Sequence, residues 1–248
     1  MNDPETVRRV ALITGGAHGI GAATAVKVAA MGIQVAIVDN DEAAAQAVAA
    51  SLPHDAFAVQ ANLARVAECK RAVAAVLERT HTLHILINCA GIAPMVPIEE
   101  VTEEVWDDVM AVNLRALFFL CQAVAEPIAA NGWGRIVNIS SVGARTGGMG
   151  PLAPYCASKA GVLSLTKSFA TALSRRGVTV NAVAPGPVRT NMTADWDREY
   201  VAGVEKAILK GRFAYPEEIA NAIAFLVSEE AGYITGSTID VNGGLRMD

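Results

Sequence analysis

Tyr155 and Lys159 stand four residues apart in the run YCASKAGVLSLTKSFATAL, and a helix puts residues i and i+4 on one face. A free tyrosine titrates near about 10, too high for ready proton exchange at neutral pH. A neighbouring ammonium favours the phenolate, so the pair can act as general acid or base toward a carbonyl or an alcohol. Alone, the two residues read more readily as a core tyrosine and a solvated lysine. Ser141 changes the weighing. It closes the run RIVNISS fourteen residues before Tyr155, where a hydroxyl can hydrogen-bond the reacting oxygen from a second direction. A nucleophilic serine is the rival role, but no histidine follows His84 and no Gly-x-Ser-x-Gly surrounds Ser141. A hydrolase triad is therefore not expected.

A second constellation lies near the start of the chain, Thr14-Gly15-Gly16-Ala17-His18-Gly19-Ile20-Gly21. Glycines between a strand and a helix permit a tight turn and close approach of backbone to a pyrophosphate, which the helix N-terminus then faces. The spacing is GxxxGxG rather than GxGxxG. Eighteen residues beyond Gly21, Asp39 ends the next apolar run, an offset at which a carboxylate can accept from an adenosine ribose. The alternative for Asp39 is a turn or capping role, which Asn40 and Asp41 can also fill.

These side chains need a frame. Short β-branched runs predict strands at 10–14, 33–39, 56–60, 85–88, 135–140, 178–184 and 238–241. Alanine-rich amphipathic runs predict helices near 20–31, 42–51, 67–79, 103–130, 155–176 and 216–228. Continuously apolar strands are expected to be buried on both faces. Their alternation with helices predicts right-handed crossovers, a parallel sheet and one α/β domain over residues 1–248. The long irregular stretch from Pro185 to about Tyr215 is expected to form a substrate lid, placed at 187–215.

Composition narrows the function classes. The chain has 248 residues, 52% hydrophobic and 18% charged, enough to bury a large core and too apolar for disorder. A net charge of −5 offers no excess of cations to neutralise a nucleic-acid backbone. The first residues, MNDPETVRRV, lack a secretory apolar segment, and no uninterrupted apolar run reaches membrane-spanning length, Ala116–Ala125 being the richest. Cys69, Cys89, Cys121 and Cys156 are scattered, and His81 and His84 have no third ligand at metal spacing. Free thiols, no metal site and a cytoplasmic location are the resulting expectations.

Taken together, the motifs resemble those of the short-chain dehydrogenase/reductase family from about Arg9 to Gly244. The family's TGxxxGIG stands at Thr14–Gly21. Its NNAG stands at Asn88–Gly91, with Cys89 replacing the second asparagine. Its active-site asparagine matches Asn113, its serine Ser141 and its YxxxK Tyr155 and Lys159. Its PG motif matches Pro185–Thr190, and its closing strand matches ITGSTIDVNGG.

The resemblance implies a Rossmann-type, doubly wound sheet of seven parallel strands with three helices on each face. It also implies hydride transfer between nicotinamide and a small-molecule alcohol or ketone. Tyr155 would be the acid/base and Ser141 would polarise the substrate oxygen. Lys159 would lower the tyrosine pKa and hold the nicotinamide ribose, and Asn113 would hold a water that continues the proton relay. Cofactor contacts would come from Gly15, His18, Gly19, Ile20, Gly21, Asp39, Asn40, Asn62, Leu63, Asn88, Ala90, Gly91, Pro185, Gly186, Val188 and Thr190, beside Tyr155 and Lys159. Asn62 replaces the family's usual aspartate at the adenine. Asp39, without a cation at His18 or Asn40, favours NAD over NADP. The Ser-to-Tyr spacing is one residue longer than is common in the family, which bears on specificity.

The family resemblance also implies a homotetramer built on the helices that carry Asn113 and Tyr155. Pro94, Met95, Met149, Leu152, Met192 and Trp196 are candidates for an apolar substrate wall, with Arg145 and Arg198 as possible grips for an anion. Two other functions compete. One is NADPH-dependent reduction of a 3-oxoacyl thioester, and the other is a non-catalytic nucleotide-binding regulator.

Overall fold

The computed structural model describes residues 8–247. The reading of the first residues as free of a secretory segment therefore rests partly on residues 1–7, which lie outside the described ones.

Seven parallel strands form one sheet: β1 (Val10–Thr14), β2 (Gln34–Asp39), β3 (Phe57–Gln60), β4 (Ile85–Asn88), β5 (Gly134–Ile139), β6 (Val178–Pro185) and β7 (Thr238–Val241). Their order is β3-β2-β1-β4-β5-β6-β7. Side chains alternate between the two faces, as the pleat requires. Leu12, Leu86, Ile136 and Val180 enter one core, while Ile13, Ile87, Val137 and Val183 enter the other. The first core is covered by α3 (Val66–Thr80), α5 (Ala116–Ala129) and α7 (Ala153–Leu173). The second is covered by α1 (Gly19–Ala29), α2 (Glu42–Ser51) and α10 (Pro216–Val227). This is the doubly wound Rossmann-type arrangement. Strand order reverses between β1 and β4, and such a switch point opens a crevice at the carboxyl ends of the strands.

Element limits follow local chemistry. Asp41 caps α2, its carboxylate accepting from the Ala44 N–H. Helix α7 begins at Ala153, two residues earlier than the sequence pattern indicates, because Pro154 sits in its first turn, where a missing N–H costs nothing. The helix α4 (Glu103–Met110) runs into α5 through one π-turn, Ala111–Arg115. The combined 27-residue helix is long and apolar enough to cross a membrane by length and composition. Here Leu117, Leu120, Val124 and Ile128 are instead buried in the first core.

The stretch 187–215 is not irregular. It holds α8 (Asn191–Ala194) and α9 (Arg198–Ala207). Helix α9 is started by Asp197, whose carboxylate accepts from the Glu199 and Tyr200 N–H groups. Val204, Ile208 and Phe213 form a small core of their own, with Trp196 and Tyr200 against it. The two ends of the stretch are pinned together where the Arg189 N–H donates to the Ala214 carbonyl and the Ala214 N–H to that of Pro187. The short α6 (Gly143–Thr146) follows β5.

Candidate active site

Tyr155 and Lys159 project from the first turns of α7, and Ser141 sits just beyond β5. All three line one cavity at the carboxyl edge of the sheet. The Ser141 Oγ accepts from the Gly143 N–H at 3.0 Å, which fixes the hydroxyl at the start of α6. A hydrogen bond from Ser141 to the phenol pulls the Tyr155 pKa down, but burial is the larger effect and holds it above the ordinary value. The Lys159 Nζ lies 5.7 Å from the Tyr155 ring centroid and donates to the Ile139 carbonyl at 2.8 Å. Burial lowers the ammonium's pKa to about 8, which proximity to Cys89 partly offsets. The expected depression of Tyr155 by Lys159 is therefore absent in this state, where the lysine's bond runs to the end of β5.

Asn113 occupies the π-turn, whose extra residue shifts its side chain off the regular helix face. The Oδ1 accepts from the Ile92 N–H at 2.8 Å, while Nδ2 donates to the Ile92 carbonyl at 2.9 Å and to the Ser158 hydroxyl at 3.1 Å. Both amide protons are thus used within the chain, leaving acceptor capacity on Oδ1 alone. A Cβ on Gly91 would lie 3.3 Å from that oxygen and 3.4 Å from the Lys159 Nζ. Asn113 therefore stands one layer behind Gly91, next to the lysine.

The glycine turn forms the floor of a second, adjoining groove lined by Gly15, His18, Gly19, Ile20, Gly21, Asp39, Asn40, Asn62, Leu63, Ala90 and Gly91. Gly15 has φ +64°, and a Cβ there would sit 2.8 Å from the Ala90 backbone. A Cβ on Gly21 would fall 2.0 Å from the Gly15 carbonyl oxygen. The turn is thus packed so closely that backbone N–H groups and the N-terminus of α1, which has no acidic residue in its first turn, face the groove. These features fit a dinucleotide pyrophosphate. Asp39 is 9% exposed. Its two oxygens accept from the Ala17 and Asp41 N–H groups at 3.0 and 3.1 Å, so the carboxylate is fixed at the groove edge with lone pairs to spare. His18 pairs with Asp41 at 3.0 Å. Asn62 accepts from the Ala64 N–H, which shapes the turn after β3.

Most of the residues singled out in the sequence converge on these two spaces. Pro185, Gly186, Val188, Thr190, Met149, Leu152, Met192 and Trp196 line the first cavity, and Thr190 and Met192 line the groove as well. Pro94 and Met95 line neither, and it is Ala93 that reaches the cavity. The Asn88 side chain turns into the core, donating to Asn138 at 2.8 Å. Arg145 pairs with Asp240 at 3.3 Å, and Arg198, at the start of α9, lies outside the cavity beside a separate depression. Two thiols missed as site residues face the cavity. Cys89 borders both spaces, its pKa pushed up to about 12 by burial, and Cys156 follows Tyr155. Tyr200, from α9, also lines it. Only the NNAG-like spacing pointed toward Cys89, and nothing in the sequence marked Tyr200.

A doubly wound sheet with a glycine groove at its switch point, flanked by a Ser–Tyr–Lys cavity, defines a dinucleotide-binding oxidoreductase. A family model described as enoyl-(acyl carrier protein) reductase matches residues 15–246. Similar proteins include a 3-oxoacyl-(acyl-carrier-protein) reductase of Rickettsia bellii, 39% identical over 96% of this chain and 97% of its own length. The human (3R)-3-hydroxyacyl-CoA dehydrogenase is 38% identical over 96% and 95%. A D-threitol dehydrogenase of Mycolicibacterium smegmatis is 40% identical over 96% and 93%. The chain belongs to the short-chain dehydrogenase/reductase family and is a nicotinamide-dependent oxidoreductase acting on a small molecule.

Proposed function

We propose that the protein interconverts a secondary alcohol and a ketone with NAD(H), using Tyr155 as the proton donor and acceptor. The observation that carries this reading is the meeting of Ser141, Tyr155 and Lys159 around one cavity that opens onto the glycine groove. A bound nicotinamide supplies or accepts the hydride. Tyr155 gives its phenolic proton to the carbonyl oxygen in reduction and takes it back in oxidation. Ser141 hydrogen-bonds the same oxygen, where charge develops. Lys159 leaves the Ile139 carbonyl to hold the nicotinamide ribose, and its charge then favours the phenolate. Asn113 fixes the Ile92 backbone and offers Oδ1 to a relay water. The groove residues hold the dinucleotide, with Asn62 and Leu63 at the adenine. Residues 187–215 act as the lid over the substrate. A homotetramer in the cytoplasm is the setting that accompanies this reading.

Cofactor choice rests on Asp39. The carboxylate accepts from the ribose hydroxyls, whereas a 2′-phosphate would meet it as a like charge. Because Ala17 and Asp41 already hold both oxygens, the carboxylate cannot swing aside cheaply. NAD is therefore expected to be preferred by at least about tenfold in kcat/KM, equivalent to ~1.4 kcal/mol. Asp39→Ala narrows the gap by weakening NAD and relieving NADP. Steady-state kinetics with both cofactors on one substrate test this, and equal or better efficiency with NADP would defeat it.

A second reading is the same chemistry on a 3-oxoacyl thioester. It is supported by the names of the Rickettsia and human relatives. Comparing a 3-oxoacyl thioester with a simple ketone under both cofactors separates the two.

A further inference from the structure

Resting on the hydride-transfer reading above, we infer that the substrate is an uncharged, predominantly apolar carbonyl compound or alcohol, with no carboxylate or phosphate near its reacting carbon. Among the described residues lining the cavity, Lys159 is the single charged side chain. It bonds the Ile139 carbonyl and belongs to the cofactor side of the site. The largest apolar part of the wall is made by Met149 and Leu152 before and at the start of α7, by Met192 and Trp196 from the 187–215 stretch, and by Leu245 near the C-terminus, with the uncharged hydroxyls of Thr146, Thr193 and Tyr200 among them.

Cations that would welcome an anion are held elsewhere. Arg145 does not line the cavity and pairs with Asp240. Arg189 pairs with Glu205 at 3.4 Å, and with Arg198 it borders a separate depression on the outer side of the lid. A carboxylate carried into the cavity would lose its hydration and find no cation beyond Lys159, which the cofactor side engages, and the burial of an unpaired ion is strongly disfavoured. The outer wall is tight as well. A Cβ on Gly150 would lie 2.5 Å from the Tyr200 hydroxyl, so that phenol rests against the loop bearing Met149.

The test compares two compounds with the same reacting carbon, ethyl 3-oxobutanoate and 3-oxobutanoate, reduced with NADH. The ester is expected to exceed the acid by at least 100-fold in kcat/KM. Met149, 45% exposed on the rim, accepts a cation without disturbing the core, and Met149→Arg is expected to shrink that ratio at least tenfold. Binding gives a readout independent of turnover. Hexanamide should quench the fluorescence of Trp196 at lower concentration than hexanoate, an effect that Trp196→Phe removes. A kinetic ratio near one or favouring the acid, or equal binding of the carboxylate, overturns the inference. Failure of both esters and acids to oxidise NADH, while NADH and hexanamide still bind, overturns instead the catalytic reading beneath it.

Discussion

At the scale of single residues, the site combines groups whose environments oppose their ordinary ionisation. Burial raises the Tyr155 phenol and lowers the Lys159 ammonium to about 8. Burial thus disfavours the charged form of each, while the lysine, at about 8, still carries its proton at neutral pH. The lysine carries a stability signature. Its native pKa lies below the unfolded value of about 10.5. Between those two values the unfolded chain holds a proton that the native chain lacks, so stability rises with pH in that window. Below about 8 both states are protonated, and the cost of burying the charge is present in full. Lys159→Met removes that cost. The stability difference between Lys159→Met and the parent is expected to fall by on the order of 3 kcal/mol from pH 7 to pH 10.5. Urea unfolding at the two pH values measures it, and a pH-independent difference would show that the ammonium is not buried in the free protein.

At the scale of elements, the strand limits were readable because buried parallel strands are short and continuously apolar. The runs at 10–14 and 85–88 coincide with β1 and β4, which are buried along their whole length, and 238–241 coincides with the part-exposed edge strand β7. The helices within 187–215 were not readable, because α8 is a single turn and the apolar positions of α9, Tyr200, Val201 and Val204, find their partners Phe213 and Leu245 only in the folded chain. The π-turn was equally hidden, since a single extra residue leaves the amphipathic pattern of 103–130 intact while moving Asn113 to Ile92. The glycine turn was legible by position, but the reason for Gly21 is spatial, namely the Gly15 carbonyl 2.0 Å from where a Cβ would be. Gly21→Ala must therefore open the turn. The expected result is at least a tenfold loss of NADH affinity, read by fluorescence titration, with the thermal unfolding midpoint of the unliganded protein lowered less than that of a core truncation such as Leu120→Ala. Undiminished affinity would detach the turn from the cofactor.

At the scale of the whole molecule, the sheet brings residues separated by more than a hundred positions to one edge, and the order of strands at the β1/β4 switch point decides where. The candidate site was largely legible because its motifs stand at the carboxyl ends of strands or the first turns of helices, where backbone geometry fixes direction. Substrate contacts were less so: Pro94 and Met95 miss the cavity, while Tyr200 and Cys156 reach it. Trp106 and Phe118, on the long α4–α5 helix, are 43% and 36% exposed, which suits association around that helix into a closed symmetric assembly. Light scattering at micromolar concentration is expected to give about four times 25.8 kDa, and a monomer mass would remove the assembly from the account. The central claim is that Tyr155 moves the proton that accompanies hydride transfer. It is tested most directly by Tyr155→Phe, assayed with NADH and a substrate that the parent reduces. The expected result is a fall in turnover of at least about 100-fold with NADH affinity nearly unchanged, whereas turnover close to that of the parent would contradict the assignment.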